Sequence, residues 1–307
     1  MRSTHRSSIL LASTMIVAGL ASCGTDTPTT PPAAESTALE RSNSFITLAP
    51  PGSLQSQAWG IDPSGRVVVG AYRTVDDVVH GYMLARGAFT TIDYPGTAFS
   101  LATGINGRDE IVGWWQEANG IQHGYVRRNG VFANVDVPGS LSTRITGINA
   151  SGDIVGAYDA ADGSSPGFVR RRGKFTRVEP VPAATFTVAK GISSSGDVVG
   201  YYAFENGDGV EVERHGFLLR GGNYTIIDFP GSTGTGLSAV NDEGAMLGWY
   251  DDADGHTHAF LLRRGRFSTI DVPGSTYTRG NDLNDRGEIV GWYDDAEGVE
   301  RGFVQRK

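Results

Sequence analysis

Acidic clusters are the residues of this chain that most suggest chemistry. They read DDADG at residues 251–255 and DDAEG at residues 294–298. Aspartates two positions apart and followed by glycine match part of a calcium loop, but the rest of that loop and its bidentate glutamate are missing. Hairpin turns also favour aspartate and glycine. We interpret the clusters as polar turns, with a calcium site at Asp252 and Asp254 as the alternative and no cofactor otherwise predicted.

A third acidic segment, ENGDGVEVE at residues 205–213, is six residues longer than its equivalents elsewhere in the chain. Insertions in repeat proteins fall in loops that often lie on the binding face. The three segments together predict a candidate binding face. Its carboxylates are Asp251, Asp252, Asp254, Asp294, Asp295, Glu205, Asp208 and Glu211.

Two carboxylates on such a face would suit glycoside hydrolysis. A catalytic acid and its partner should be unique in the chain. The acidic residues recur from segment to segment, however, and no pair differs from the others. The chain also contains no metalloprotease HExxH, nucleophile elbow or phosphate-binding glycine loop. We predict no catalytic residue, and we keep an extracytoplasmic hydrolase or lyase acting on glycans as the alternative function.

Four of the six histidines occupy one repeated position, just before the glycine or alanine of an HGY, HGF or HAF tripeptide. They are His80, His123, His215 and His258, and Pro166 and Arg301 take this position in two other places. A single ligand rarely needs several equivalent groups, so these histidines are expected to be structural.

The elements that carry these residues form six sequence repeats. An aromatic residue opens each one, with steps of 44, 43, 43, 49 and 43 residues. The repeats span residues 45–88, 89–131, 132–174, 175–223, 224–266 and 267–307.

Each repeat contains four short segments rich in Val, Ile, Thr and aromatics and bounded by Gly, Pro, Asn and Asp, as in FTTIDYP, ATGIN, IVGWWQ and HGYVRR. This pattern indicates strands, and four strands per 40–50 residues is the size of a propeller blade. We predict an all-β, six-bladed β-propeller with TGIN innermost and FTTID outermost. The first strand, FITLAP, is expected to complete the last blade and close the ring. An open solenoid is the alternative.

Glycine recurs in the second strand of all six repeats, for example at Gly70 and Gly291. A glycine inside a strand weakens it unless another group must approach closely. We expect an aromatic ring of the Phe89 or Tyr82 type, from the neighbouring blade, to lie over this glycine.

The repeat resembles that of the HAF-repeat family of extracellular proteins. The resemblance rests on HAF at residues 258–260, FSTIDVPG at residues 267–274 and GIN at residues 147–149, and it extends over all six repeats. It implies a secreted or surface protein and names no activity.

The N-terminus predicts export. Arg2 and Arg6 precede an apolar run that is too short to span a bilayer comfortably, and residues 20–23 read LASC. This sequence resembles a bacterial lipobox, which implies that the only cysteine, Cys23, is acylated. An ordinary signal peptide with a chance cysteine is the alternative.

We divide the chain into a signal peptide (1–22), an acylated Cys23 with a Thr/Pro-rich tether (23–43) and the propeller (44–307). The net charge of −8 becomes −10 once the signal is removed, which disfavours nucleic acid as a partner. The sequence thus predicts a non-catalytic binding or scaffolding lipoprotein of the cell envelope. Its partners would be the membrane, through Cys23, and a protein or polysaccharide ligand. In a Gram-negative host we expect the outer membrane.

Overall fold

A computed structural model describes residues 44–205 and 211–306. These residues form 24 strands in six antiparallel four-stranded sheets and contain no helix. The six-bladed β-propeller is therefore confirmed. None of the described residues lies in a helix that is long and apolar enough to cross a membrane.

The strands fall into four classes by their place in a blade. The inner strands are β2 (Gln55–Ile61), β6 (Ser100–Ile105), β10 (Ser142–Ile148), β14 (Phe186–Ile192), β18 (Gly234–Val240) and β22 (Thr278–Leu283). The second strands are β3 (Val67–Arg73), β7 (Ile111–Gln116), β11 (Ile154–Asp159), β15 (Val198–Glu205), β19 (Met246–Asp251) and β23 (Ile289–Asp294). The third strands are β4 (Val79–Ala85), β8 (Gln122–Arg128), β12 (Gly167–Arg171), β16 (Glu211–Arg220), β20 (Thr257–Arg263) and β24 (Glu300–Arg306). The outer strands are β5 (Ala88–Thr91), β9 (Val131–Asn134), β13 (Lys174–Val178), β17 (Asn223–Ile227), β21 (Arg266–Ile270) and β1 (Ser44–Leu48).

The ring closes through its first strand, as the sequence predicts. Strand β1 pairs antiparallel with β24, from Ser44 opposite Arg306 to Leu48 opposite Gly302, and completes the sheet of β22 and β23. We number the blades 1 to 6 from β2 to β22. Every blade takes three strands from one sequence repeat and its outer strand from another, so no blade is made by one repeat alone.

The recurrent glycine of each second strand is explained by close packing within its own blade. A Cβ atom at Gly291 would lie 2.0 Å from the carbonyl oxygen of Arg279 and 2.9 Å from the ring of Phe303. The same arrangement places Tyr82 over Gly70. The expectation of a ring from the neighbouring blade is wrong, because the ring comes from the adjacent third strand. Those six third-strand aromatics are completely buried: Tyr82, Tyr125, Phe168, Phe217, Phe260 and Phe303.

Neighbouring blades are joined by the turns between inner and second strands. The side-chain oxygen of Asn149 accepts hydrogen bonds from the amides of Ser151 and Asp153 at 3.0 and 2.9 Å. Its amide nitrogen donates to the carbonyl oxygen of Ser193 in the next blade, at 3.0 Å. The local bonds are those expected of a turn asparagine. The bond to the next blade is a second function of the same side chain.

Candidate functional site

The upper face of the ring carries the loops between second and third strands and the Pro-Gly segments that lead to the next inner strand. The predicted carboxylates at residues 251–254 lie here, but they are engaged by groups of their own blade and of the preceding one. Asp251 accepts a hydrogen bond from the Thr257 hydroxyl at 2.7 Å and pairs with Arg214 at 3.2 Å. Asp252 accepts the amides of Asp254 and His256 at 2.9 and 2.8 Å. The Asp252 carboxylate therefore caps the turn.

The electrostatics of Asp252 agree with this role. The His256 amide is the largest contribution that lowers the pKa of Asp252, to about 2, and His258 contributes further. Asp254 is exposed. No group of three or more His, Cys, Asp or Glu side chains suited to a metal ion occurs in the described parts of the chain. The calcium site at Asp252 and Asp254 stays a prediction.

The second predicted cluster is divided between a turn and a more buried site. Asp295 accepts the Glu297 and Val299 amides at 3.1 and 2.8 Å and pairs with Arg301 at 2.9 Å. Asp294 is instead half-buried, and burial together with the neighbouring Asp295 raises its pKa.

The third acidic segment is described only in part. Glu205 ends β15 and is exposed, and its amide donates to the Thr185 hydroxyl at 2.9 Å. Glu211 lies opposite Glu205 in the β15–β16 register. Asp208 lies outside the described residues, as does Cys23.

Glu300 is a buried carboxyl that the sequence analysis did not single out. It lies opposite Asp294 in the β23–β24 register, is 9% exposed and accepts a hydrogen bond from the Gln57 amide at 2.7 Å. Burial raises the pKa of Glu300 to about 7. The hydrogen bond from Gln57 lowers this pKa, and the neighbouring Asp294 raises it further. Two adjacent carboxyls with raised pKa values are the arrangement that acid–base catalysis would use.

The four repeated histidines bridge third and outer strands. Each places Nδ1 at 2.7–2.9 Å from an aspartate at the end of the outer strand: Asp93, Asp136, Asp228 and Asp271. Each ring also stacks on an aromatic side chain of the second strand. Blades 3 and 6 have Glu179 and Ala49 in place of the aspartate, and these are the two blades without the histidine. The histidine and the aspartate thus form a structural pair.

The opposite, lower face of the ring carries the turns between inner and second strands and between third and outer strands, and it is less basic than the arginines of these turns suggest. In five blades an arginine at the end of the third strand pairs with a carboxylate beside the inner turn. The pairs are Arg128–Glu110, Arg171–Asp153, Arg220–Asp197, Arg263–Glu243 and Arg306–Glu288.

The central channel holds a second set of residues that the sequence analysis missed. Four blades have Thr, Ser or Asn at the bulge of the inner strand, whereas blade 1 has Trp59 and blade 4 has Lys190. The Nζ atom of Lys190 lies 4.7 Å from the centre of the Trp59 ring. Burial lowers the pKa of Lys190 to about 7, with Arg279 adding to the effect and Asp282 opposing it. Burial also raises the pKa of Asp282 to about 6. The cavity they line has a volume of about 40 Å³, enough for a water molecule or two but not for a sugar.

The signal for these residues was present in the sequence. Asp282 replaces a glycine or alanine of the other inner strands, and Trp59 and Lys190 are the two largest side chains at their repeat position. A search for departures from the repeat in the inner strand, and not only in the loops, would have found them.

The fold matches β-propellers of known structure. AofleA from Arthrobotrys oligospora has a TM-score of 0.56 and 12% identity over 86% of each chain. The six-bladed Aleuria aurantia lectin, whose structure describes a fucose recognition mode, has a TM-score of 0.53 and 12% identity over 83% of this chain and 93% of the lectin. A gluconolactonase from Xanthomonas campestris has a TM-score of 0.52 and 14% identity over 85% and 89%. At such identities the likeness shows the propeller fold alone.

No protein-family profile and no curated protein matches the sequence.

Proposed function

We propose that this protein is a non-catalytic, carbohydrate-binding lipoprotein of the cell envelope. The observation that carries the proposal is the state of the upper-face carboxylates. Asp251, Asp252 and Asp295 are held by arginines, a hydroxyl and loop amides in a polar, partly exposed surface suited to recognition. The Aleuria aurantia lectin, which has the same fold, supports carbohydrate as the ligand class.

A glycan array tests the ligand class. The Cys23→Ser variant, purified without a lipid anchor, should bind a subset of immobilised glycans and release no products detectable by mass spectrometry. Cleaved glycans would contradict the non-catalytic part of the proposal. An array without any bound glycan would contradict carbohydrate as the ligand.

The anchor is a separate part of the proposal. The LASC sequence and the single cysteine support acylation of Cys23, and the HAF-type repeats support an extracytoplasmic, surface-anchored protein. In cells fed labelled palmitate, the parent chain should incorporate label and Cys23→Ser should not. Equal labelling of the two chains would remove the anchor. Fractionation of a Gram-negative host should place the protein in the outer membrane.

One observation favours a hydrolase as the second candidate function. Glu300 and Asp294 lie side by side, and both have raised pKa values. The gluconolactonase with the same fold is a further reason to test this site. A panel of lactones and aryl glycosides should show turnover that Glu300→Gln abolishes if the hydrolase is correct. Turnover absent in the parent chain, or unchanged in Glu300→Gln, would exclude this pair.

A further inference from the structure

Two blades fill an aromatic slot near their upper rim with a ring from the chain itself. In blade 2 the slot lies between Trp115 and Phe132. The Tyr94 ring lies in this slot. It stacks on Trp115 with a centroid distance of 4.4 Å and an interplanar angle of 7°, and it meets Phe132 edge-on at a centroid distance of 5.5 Å.

Blade 5 repeats the arrangement with other residues. Phe229 stacks on Tyr250 with a centroid distance of 3.7 Å and an interplanar angle of 3°. It meets Phe267 edge-on at a centroid distance of 5.3 Å. A flat six-membered ring is therefore the shape that this slot accepts.

Blade 3 has the walls of the same slot but not the ring. Its equivalent of Tyr94 and Phe229 is Val137, facing Tyr158 and Phe175. The side chain of valine is too short to stack on Tyr158 as Phe229 stacks on Tyr250. An open groove of about 480 Å³ is found here, lined by Val137, Pro138, Tyr158, Phe168, Phe175 and Arg177.

The backbone places Val137 as it places the two rings. The amide of Val137 donates to the Thr143 hydroxyl at 3.0 Å. The Phe229 amide donates to the equivalent Thr235 hydroxyl at the same distance, and the Tyr94 amide donates to Ser100 at 3.1 Å. The three side chains thus start from one position, and the shorter side chain of Val137 leaves space in blade 3 where the other two blades have a ring.

The rim of the blade-3 slot carries an arginine where the slots of blades 2, 5 and 6 carry the neutral residues Asn134, Thr269 and Thr47. Blades 2 and 5 have Asn134 and Thr269 on the outer strand beside the slot, and each bonds the polar tip of the wall aromatic. Blade 3 has Arg177 in this position. Its guanidinium donates two hydrogen bonds to Glu179, both at 2.9 Å, and it also hydrogen-bonds the wall residue Tyr158. Arg177 is exposed, so its guanidinium can also reach a ligand in the groove.

We propose that the blade-3 slot binds a pyranose ring. The apolar C–H face of the sugar would stack on Tyr158, in the place that Phe229 occupies on Tyr250, and its hydroxyls would contact Arg177 and Glu179. A pyranose is a six-membered ring with one apolar face and a hydroxylated edge, which matches apolar walls beside a charged rim. This inference rests on the proposed carbohydrate binding and assigns it a site.

Val137→Phe tests the slot by filling it with a ring of the chain itself. The fold should tolerate the change, because Phe229 has this place in blade 5. Affinity for a panel of methyl pyranosides, measured by calorimetry and saturation-transfer NMR, should fall by about tenfold or more through the lost stacking. The matched control is Val272→Phe in blade 6. Val272 has the same position, with its amide donating to Thr278 at 3.2 Å, and it packs with the equivalent walls Tyr293 and Phe45. The rim residue of blade 6 is Thr47, which hydrogen-bonds the Tyr293 hydroxyl, so this slot lacks the arginine that would hold the sugar hydroxyls. This control should bind as the parent does.

Arg177→Gln is a second variant that does not depend on packing. Its exposed side chain can be replaced without touching the core, and weaker pyranoside binding with an unchanged melting temperature is expected. If the parent binds pyranosides but both variants bind them equally well, the slot is not the site, although the proposed function stands. If the parent binds glycans on the array but none of these pyranosides, the slot proposal fails and the proposed function stands; if it binds neither, both fail. If N-acetyltyrosine amide binds to the slot and pyranosides do not, its ligand is an aromatic side chain.

Discussion

At the scale of single residues, the second-strand glycines are set by atoms on both sides of the strand. Gly291 has the Arg279 carbonyl on one side and the Phe303 ring on the other, and neither a backbone oxygen nor a buried ring can yield cheaply. We expect Gly291→Val to lower the free energy of unfolding by about 3–5 kcal/mol, as severe overpacking does. Urea denaturation would measure it. Gly107→Val is the control, since the nearest atom to a Cβ there is 3.8 Å away. Equal loss in the two variants would contradict the packing account.

Glu300 should make stability depend on pH. Its pKa of about 7 in the folded chain lies above its ordinary value of 4.5, so the folded state holds the proton more tightly between these values. The free energy of unfolding therefore falls as pH rises through this window. Glu300→Gln should be more stable than the parent by about 1–3 kcal/mol above pH 8 and nearly equal to it below pH 4. Exposed Glu297→Gln is the control. A constant difference across pH would contradict the assignment.

The burial of Glu300 could not be predicted from the sequence. Glu300 and Glu297 belong to the same acidic stretch, and only the neighbouring blade's Gln57 and the depth of the strand distinguish them. The sequence left a calcium ligand open as the alternative for Asp252, beside the polar turn, because the bonds of Asp252 to the loop amides are invisible in a sequence. Repetition did identify the structural histidines, because it is visible without coordinates.

At the scale of elements, the outer strands depend on side chains as well as on the ladder. Strand β9 has four residues and little buried surface, and His123 ties the end of this segment, at Asp136, to β8. In blade 5, burial would lower the pKa of His258, but its bonds to Asp271 and Asp252 raise it above its usual value. The pair thus stabilises the blade most when the imidazole is charged.

We therefore expect His258→Asn to destabilise the protein more at about pH 5.5 than at pH 8.5. The raised pKa means that this stabilisation is present in full below the ordinary value of 6.5 and is lost as pH rises through the folded value. Because the pair is partly exposed, its loss should amount to no more than about 1 kcal/mol. Urea midpoints at the two pH values would measure it. Asp271→Asn combined with His258→Asn should lose little more than either alone, and additive losses would contradict a direct pair.

At the scale of the whole molecule, the ring could be predicted because the strand types at the two ends are complementary. The first strand is of the outer class and the last of the third class, so their pairing completes a blade. The same sequence did not reveal the blade-3 slot, because Val137 acquires meaning only beside Tyr158 and Phe175, which come from two other strands. The sequence repeats predict the propeller, whereas a site depends on residues that differ from the repeat and lie close together in the folded chain.

Closure of the ring depends on strand β1. Strand β1 covers β24, and Leu48 packs with Ala58 of blade 1 and Val290 and Val304 of blade 6. Removal of residues 24–48 would expose the edge of β24 and open this cluster, and an uncovered edge is a template for pairing with another chain. The shortened chain should melt at a lower temperature and form dimers or larger species in size-exclusion chromatography. Removal of residues 24–43 alone, which leaves β1 in place, should give a monomer with the parent melting temperature. If the two deletions behave alike, the strand that completes blade 6 does not hold the ring together.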